Sequence, residues 1–203
     1  GQDRSGAGLF RQRLRHGGDL RPCLRAERRM LLKQPEKGDD MKRTLSLAQA
    51  VEAAGILFEL NTDEKGALAI AARAGLPCES PEERAAFLWE WRAYVHAAVL
   101  YGLMVQAPNV VVVEYLRATR AILGRLGYEA EQTEAFVDGA FRAYTDPMVR
   151  TQTQECPAVF FQRLLGKAIA DVPAQTVALV SGVMAMVMSA TLDKLEQYDY
   201  ALE

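Results

Sequence analysis

The chain has 203 residues, of which 50% are hydrophobic and 25% are charged, and its formal net charge at pH 7 is -2. This composition is typical of a folded globular protein and excludes a collagenous, low-complexity or wholly disordered chain. Three cysteines without a closely spaced pair exclude a disulfide scaffold and favour a reducing compartment, so we expect a cytoplasmic protein. Two histidines in the whole chain exclude a metal centre built from several histidines.

Residues 1–40 differ in composition from the rest of the chain. They carry ten Lys and Arg against six Asp and Glu, whereas residues 41–203 carry 14 against 20. The segment has no sustained apolar periodicity, so we predict a basic, non-globular N-terminal arm. Three interpretations stay open: an arm that binds the phosphates of nucleic acid, a solvated tail, and a translated leader in front of a natural start at Met41. We favour the tail or leader, and expect nucleic-acid binding only if the arm is genuine.

Residues 41–203 show helical periodicity throughout, which predicts one all-α domain. Ser46 and Gln49 can form a capping box in front of a first helix, and Gly75 is expected to end a short second one. The five further helices are expected at about 81–106, 109–126, 130–144, 157–169 and 173–197. The sequence therefore predicts a single globular bundle of about seven helices.

The helix expected at about 81–106 is predicted to be the centre of this bundle. Ser80-Pro81-Glu82-Glu83 in front of it combines an N-cap, a proline at the first helical position and a capping-box glutamate. The helix that follows has apolar residues on both of its faces. Because a helix that is apolar all round is buried all round, we expect this one to be covered by the others.

Two features could interrupt the helical pattern. Four consecutive valines at 110–113 have β-propensity, but the helical stripe continues through them and no partner strand is apparent, so we predict a helix there. Asp146-Pro147 is expected to break the helix that begins near residue 130. The segment 151–155 should then form an exposed connection.

Two stretches, Ala93–Val113 and Val172–Leu192, each contain 21 residues without a formal charge. Either is long enough to span a membrane, but both contain several polar side chains and neither has a basic flank on one side. We therefore favour two buried core helices, the second being a long apolar C-terminal helix at about 173–197, and we expect no membrane contact.

A ridge of small residues follows this C-terminal helix. Ala178, Gly182, Ala185 and Ser189 recur at helical spacing, and small residues let two helix backbones approach closely. The ridge could seat a neighbouring helix of the same chain, which is the somewhat favoured interpretation, or the same helix of a second subunit. The second interpretation predicts a homodimer.

Aromatic residues are concentrated in the central helix, and this raises the question of a ligand pocket. We favour a large core there, with an apolar pocket as the alternative. His96 lacks a carboxylate at useful helical spacing, which argues against a role as general base, and a lone haem ligand is a minor alternative. No other cofactor and no metal are expected. The pocket candidates are Trp89, Tyr94, His96, Tyr101 and Met104.

Charges on the fourth and fifth helices are arranged about Gly127. Arg120 and Glu134 are each seven residues from Gly127, and Arg117 and Asp138 are ten and eleven residues from it. In an antiparallel helical hairpin, residues equidistant from the turn lie opposite each other. We therefore predict ion pairs across this hairpin, with a split-charge docking surface for a partner as the alternative.

The sequence contains no phosphate loop, dinucleotide fingerprint, Cys-x-x-Cys pair or nucleophile turn. For this reason we expect a non-enzymatic helical interaction or regulatory protein, homodimeric and binding an unknown protein partner. The alternative is a helical-bundle carrier or sensor of an apolar small molecule beside His96. An enzyme whose active site lies on loops is the third possibility.

Overall fold

The computed structural model describes residues 42–201, and this part of the chain is an all-α bundle. The interpretation of residues 1–40 as an arm, tail or leader lies outside the described residues. The α-helices are α1 (Leu47–Asn61), α2 (Glu64–Ala74), α3 (Pro81–Gln106), α4 (Asn109–Arg125), α5 (Ala130–Ala135), α6 (Arg142–Val149), α7 (Cys156–Leu165) and α8 (Ala174–Glu196). Since α5 continues into α6 through a π-helical segment, Phe136–Phe141, residues 42–201 contain seven helical units, as predicted.

The two capping boxes expected from the sequence are both present. The Ser46 side chain accepts a hydrogen bond from the backbone N–H of Gln49, whose side chain accepts one from the backbone N–H of Ser46. Ser80 and Glu83 make the same reciprocal pair at the start of α3. These bonds satisfy backbone donors that have no partner inside a helix, so they define where α1 and α3 begin.

Helix α3 is the centre of the bundle, as predicted. It contacts α1, α2, α4, α6, α7 and α8, and every residue from Trp91 to Leu100 is buried. Trp91 stacks on Phe87 and packs edge-on against Phe160 of α7, while its indole N–H donates to the backbone oxygen of Asn61 at 2.9 Å. The indole is therefore buried with its one donor satisfied.

The helix from residue 130 differs from the prediction. Asp146-Pro147 does not break it: Pro147 lies inside α6, which continues to Val149. Because proline has no backbone N–H, α6 continues through Pro147 without the hydrogen bond from this position to the carbonyl four residues earlier. The π-helical turn at Phe136–Phe141 holds an extra residue per turn, which shifts the positions after it around the helix axis.

Three other observations concern local structure. The valines at 110–113 lie in α4, as predicted. Helix α7 ends at Leu165 rather than near residue 169, because Gly166 adopts the left-handed conformation that terminates it. Two short strands, β1 (Arg43–Leu45) and β2 (Tyr198–Tyr200), pair in parallel and were not predicted. They join the two ends of the described chain beside α8.

Candidate functional site

His96 lies at the centre of the bundle, enclosed by aromatic rings. It is 1% exposed, its Nδ1 lies 2.8 Å from the Tyr115 hydroxyl, and its Nε2 lies 3.0 Å from the Thr119 hydroxyl. The Thr119 hydroxyl also donates to the backbone oxygen of Tyr115 at 3.2 Å. The rings around the imidazole are those of Phe58, Phe136 and Phe141.

These contacts define one tautomer of His96. If Thr119 donates to the Tyr115 carbonyl, its oxygen is free to accept from His96 Nε2–H, and Nδ1 then accepts from the Tyr115 hydroxyl. Every donor in this chain of bonds is used once. Burial without a carboxylate partner lowers the pKa of His96 from 6.5 to about 3, so the imidazole is neutral at physiological pH. Binding of haem iron by His96 would require one of these two bonds to break.

The other pocket candidates do not converge with His96 on one cavity. Trp89 shares one neighbour with His96, since the rings of both residues contact Phe136. Tyr94 lies on another side of α3, where its hydroxyl donates to the backbone oxygen of Met184 in α8. Tyr101 and Met104 pack on Val105, in a small cluster near the end of the helix. The structure therefore distributes the five residues around α3.

Two buried charged residues in α3 escaped the sequence analysis. Glu90 is 5% exposed and accepts hydrogen bonds from Arg163 Nε at 2.9 Å and from the Tyr144 hydroxyl at 2.8 Å. Arg92 is 7% exposed, donates to the Tyr128 hydroxyl at 2.9 Å, and has its guanidinium carbon 5.5 Å from the centre of that ring. Their charges in the middle of an otherwise apolar helix were the available signal. Because the partners lie 36 to 73 residues away in sequence, spacing could not identify them.

The small-residue ridge of α8 faces away from the core. Ala178, Gly182, Ala185 and Ser189 are all exposed, and a Cβ atom added to Gly182 would meet no atom within 4 Å. Met186, beside the ridge, is 65% exposed. The favoured expectation, that a helix of the same chain covers the ridge, is wrong within residues 42–201. The core side of α8 is formed by other residues: Thr176, Val180, Met184, Val187, Met188, Thr191 and Leu195.

Helix α8 is consequently less buried than expected for a core helix. Among residues 42–201 it is the one helix long and apolar enough, by length and composition alone, to cross a membrane, and 33% of its most apolar window is buried. The stretch Val172–Leu192 is thus only partly a core element. Its outward half is an apolar surface with no formal charge between Asp171 and Asp193.

The predicted ion pairs between α4 and α5 are only partly present. Arg120 lies 3.5 Å from Glu134, as predicted, and the two side chains are 75% and 66% exposed. Arg117 pairs instead with Glu114, three residues earlier on the same helix. Asp138 lies in the π-helical turn, which displaces it from the position that a regular helix would give it. The pairing of Arg117 with Asp138 was therefore wrong.

A groove of about 970 Å³ runs between α1 and α4 on the surface. Its apolar lining includes Val51, Ile56 and Ile122, and charged side chains lie along both of its edges. Arg125 of α4 pairs with Glu59 of α1 at 2.6 Å at one end of the groove. No local sequence pattern indicates this surface, because it is formed by two helices that are separated by two others along the chain.

No group of three or more His, Cys, Asp or Glu side chains within residues 42–201 is arranged to hold a metal ion. The two described cysteines, Cys78 and Cys156, are free thiols, and burial raises the pKa of Cys156 to about 12. A thiol with so high a pKa is a poor nucleophile at neutral pH.

No protein-family model matches the sequence, and neither the curated proteins nor the solved structures include a match to it.

Proposed function

We propose that this protein is a non-enzymatic helical interaction protein that forms a homodimer through the outward face of α8. The observation that carries the proposal is the exposure of this face: an apolar helix of 23 residues presents its small-residue ridge and Met186 to solvent. An exposed apolar surface on a folded protein is typical of a site that another macromolecule covers.

A second copy of the same helix fits this face in shape. In an antiparallel pair that crosses near Met184, Met186 of one subunit lies opposite Gly182 of the other. The space above Gly182 is open, and a flexible thioether is suited to fill it. The same contact occurs twice about the twofold axis, as a closed dimer requires. The absence of charge along the ridge removes the repulsion that like charges would cause in a self-pairing surface.

The alternative function, a carrier or sensor with its ligand beside His96, has less support. Both ring nitrogens of His96 have hydrogen-bond partners, and the five pocket candidates lie on different sides of α3. A cytoplasmic location without membrane contact is part of our proposal. The free thiols of Cys78 and Cys156 fit a reducing compartment.

The test is the mass of the freshly purified chain, measured by native mass spectrometry and sedimentation equilibrium without detergent. We expect a dimer that Gly182→Leu converts to a monomer, because the larger side chain separates the two backbones. Gly124→Leu is the matched control: a Cβ at Gly124 in α4 also meets no atom within 4 Å, and it should leave the dimer intact.

Three results would overturn the proposal. These are a monomer at every concentration, a dimer that tolerates Gly182→Leu, and a chain that stays in solution only with detergent. The third would assign the outward face of α8 to lipid. A bound small molecule of constant mass, retained through purification, would favour the carrier function instead.

A further inference from the structure

The groove between α1 and α4 has the form of a helix-binding surface. The two helices lie side by side in the same direction, since Gly55 lies next to Ile122 and Glu59 pairs with Arg125. The groove is lined from Leu47 to Glu59 on the α1 side, a length of about 18 Å at 1.5 Å per residue. Such a length accommodates about three turns of an added helix.

The lining of the groove allows a helix to approach closely. Both sides of the groove have small residues: Ala48 and Gly55 on α1, and Ala118 and Ala121 on α4. Ile56 is 47% exposed, although a residue of this type is usually covered. Small residues flanked by a larger apolar one permit the short interaxial distances of packed helices.

The charges at the two edges differ in sign. Helix α1 contains Glu52 and Glu59 and no Lys or Arg, whereas α4 contributes Arg117 and Arg125, together with Glu114. Glu59 is paired with Arg125, and Arg117 with Glu114. No ion pair within residues 42–201 involves Glu52, so the α1 edge retains an unneutralised carboxylate midway along the groove.

We propose that this groove binds an amphipathic helix of a partner protein, with a basic edge that meets α1 and an acidic edge that meets α4. The apolar face of the added helix covers Val51, Ile56 and Ile122, in the manner of other helix-in-groove complexes. This inference rests on the proposed function as an interaction protein, and it adds a second surface, distinct from α8.

Other occupants fit the groove less well. A second copy that offered its own groove would place a concave surface against a concave one and leave a void. The outward face of α8 has no charges to match the two edges. An apolar small molecule would leave Glu52 without a partner, because its carboxylate lies at the edge of a groove that is open along its length.

The test measures the binding of two synthetic amphipathic peptides to the full chain. The two peptides have the same amino-acid composition. Both have the same apolar stripe; the split-edge peptide carries Lys along one edge and Glu along the other, and the mixed-edge peptide alternates them on both edges. We expect fluorescence anisotropy to show binding of the split-edge peptide at least fivefold tighter than that of the mixed-edge peptide at low salt. Added salt should reduce this difference.

Variants of α1 provide matched controls. Glu52→Lys and Ile56→Ser should each weaken binding of the split-edge peptide at least threefold. Leu60→Lys and Leu60→Ser, at a residue of α1 that is 72% exposed and does not line the groove, should leave binding unchanged. All of these positions are exposed, so the fold should be retained.

The proposal is overturned if the split-edge peptide does not bind saturably, if the two peptides bind equally, or if the Leu60 variants weaken binding as much as Glu52→Lys does. Displacement of the peptide is a further test: lauric acid that enters the groove and binds tighter than the peptide would assign the groove to an apolar small molecule. Failure here is distinguishable from failure of the α8 dimer. The dimer is measured by mass, and the Gly182→Leu monomer should still bind the split-edge peptide.

Discussion

The two uncharged stretches of the chain, Ala93–Val113 and Val172–Leu192, have the same length but different environments. In the first, the residues from Ala93 to Leu100 are all buried, and six other helices contact α3. In the second, α8 buries one face and exposes the other, including Met186 at 65%. The absence of charge thus identifies two segments whose side chains are poorly solvated by water. It does not tell which of them the same chain covers.

The largest expected effect distinguishes these two stretches by the same substitution, alanine to aspartate, made once in each. Ala98 is fully buried in α3, and Ala185 is exposed in α8. Ala98→Asp should lower the free energy of unfolding by about 4 kcal/mol or more, because it buries a carboxylate without a partner. Ala185→Asp should change it by less than about 0.5 kcal/mol.

Urea denaturation followed by far-UV circular dichroism measures both values. The two substitutions are made in the Gly182→Leu chain, so that self-association does not contribute to either measurement. Equal losses of stability would show that the outward face of α8 is covered within one subunit, and the contrast between the two stretches would disappear.

The polar groups inside α3 provide a second test of how completely that helix is enclosed. Arg163→Ala should lower the free energy of unfolding by about 2–3 kcal/mol, since it leaves the Glu90 carboxylate buried with only the Tyr144 hydroxyl. Arg163 is 34% exposed, which places this loss below that of a fully buried pair.

The double variant Glu90→Gln/Arg163→Ala is the control for that measurement. A neutral amide still accepts from Tyr144 and needs no cation, so the double variant should be more stable than Arg163→Ala by at least about 1 kcal/mol. If it is not, the cost of Arg163→Ala comes from lost packing rather than from the buried charge.

The pH dependence of stability tests the environment of His96. Its pKa is lowered to about 3 in the folded chain, so on acidification below pH 6.5 the unfolded chain takes up a proton that the folded chain does not. The stabilisation that depends on neutral His96 is therefore present above pH 6.5 and falls by about 2 kcal/mol between pH 7 and 5, with a limiting slope of about 1.4 kcal/mol per pH unit below pH 6.5.

Urea midpoints at these two pH values, compared with those of His96→Gln, isolate the contribution of this residue. The variant should be less stable at pH 7 but lose about 2 kcal/mol less on acidification. Carboxylates that titrate in this window contribute to both proteins and cancel in the comparison. Identical pH slopes would mean that His96 is reached by solvent in the folded chain.

Some features of the fold could be predicted from the sequence and others could not, and the difference has physical reasons. Capping boxes at Ser46 and Ser80 and the apolar periodicity of α3 are local signals, and the helices they predict are present. The β1–β2 pair joins residues more than 150 positions apart, and no local pattern encodes that pairing. Helix α8 has small or apolar side chains on both faces, so the side that meets the core could not be read from its sequence.

The candidate sites follow the same division. Arg120 and Glu134 were placed together from their equal separation from Gly127, and the structure has this pair. Arg117 and Asp138 were also predicted to pair from their separation from Gly127, but Arg117 pairs with Glu114 instead, because a π-helical turn shifts Asp138 around the helix axis. The α1–α4 groove and the hydrogen bonds of Glu90 with Arg163 and Tyr144 depend on contacts between helices that are distant in sequence. Such contacts follow from the packing of the whole bundle rather than from any one motif.

The smallest expected effect concerns the exposed pair of Arg120 and Glu134. Arg120→Ala should change the free energy of unfolding by less than about 0.5 kcal/mol, because a contact of 3.5 Å between side chains 75% and 66% exposed is screened by water. A double-mutant cycle with Glu134→Ala, at low and at high salt, measures the coupling directly. A coupling above about 1 kcal/mol that salt does not reduce would contradict this prediction. Since the pair is weak, its contribution lies in disfavouring other registers of α4 against α5, where Arg120 would face a like charge or an apolar residue.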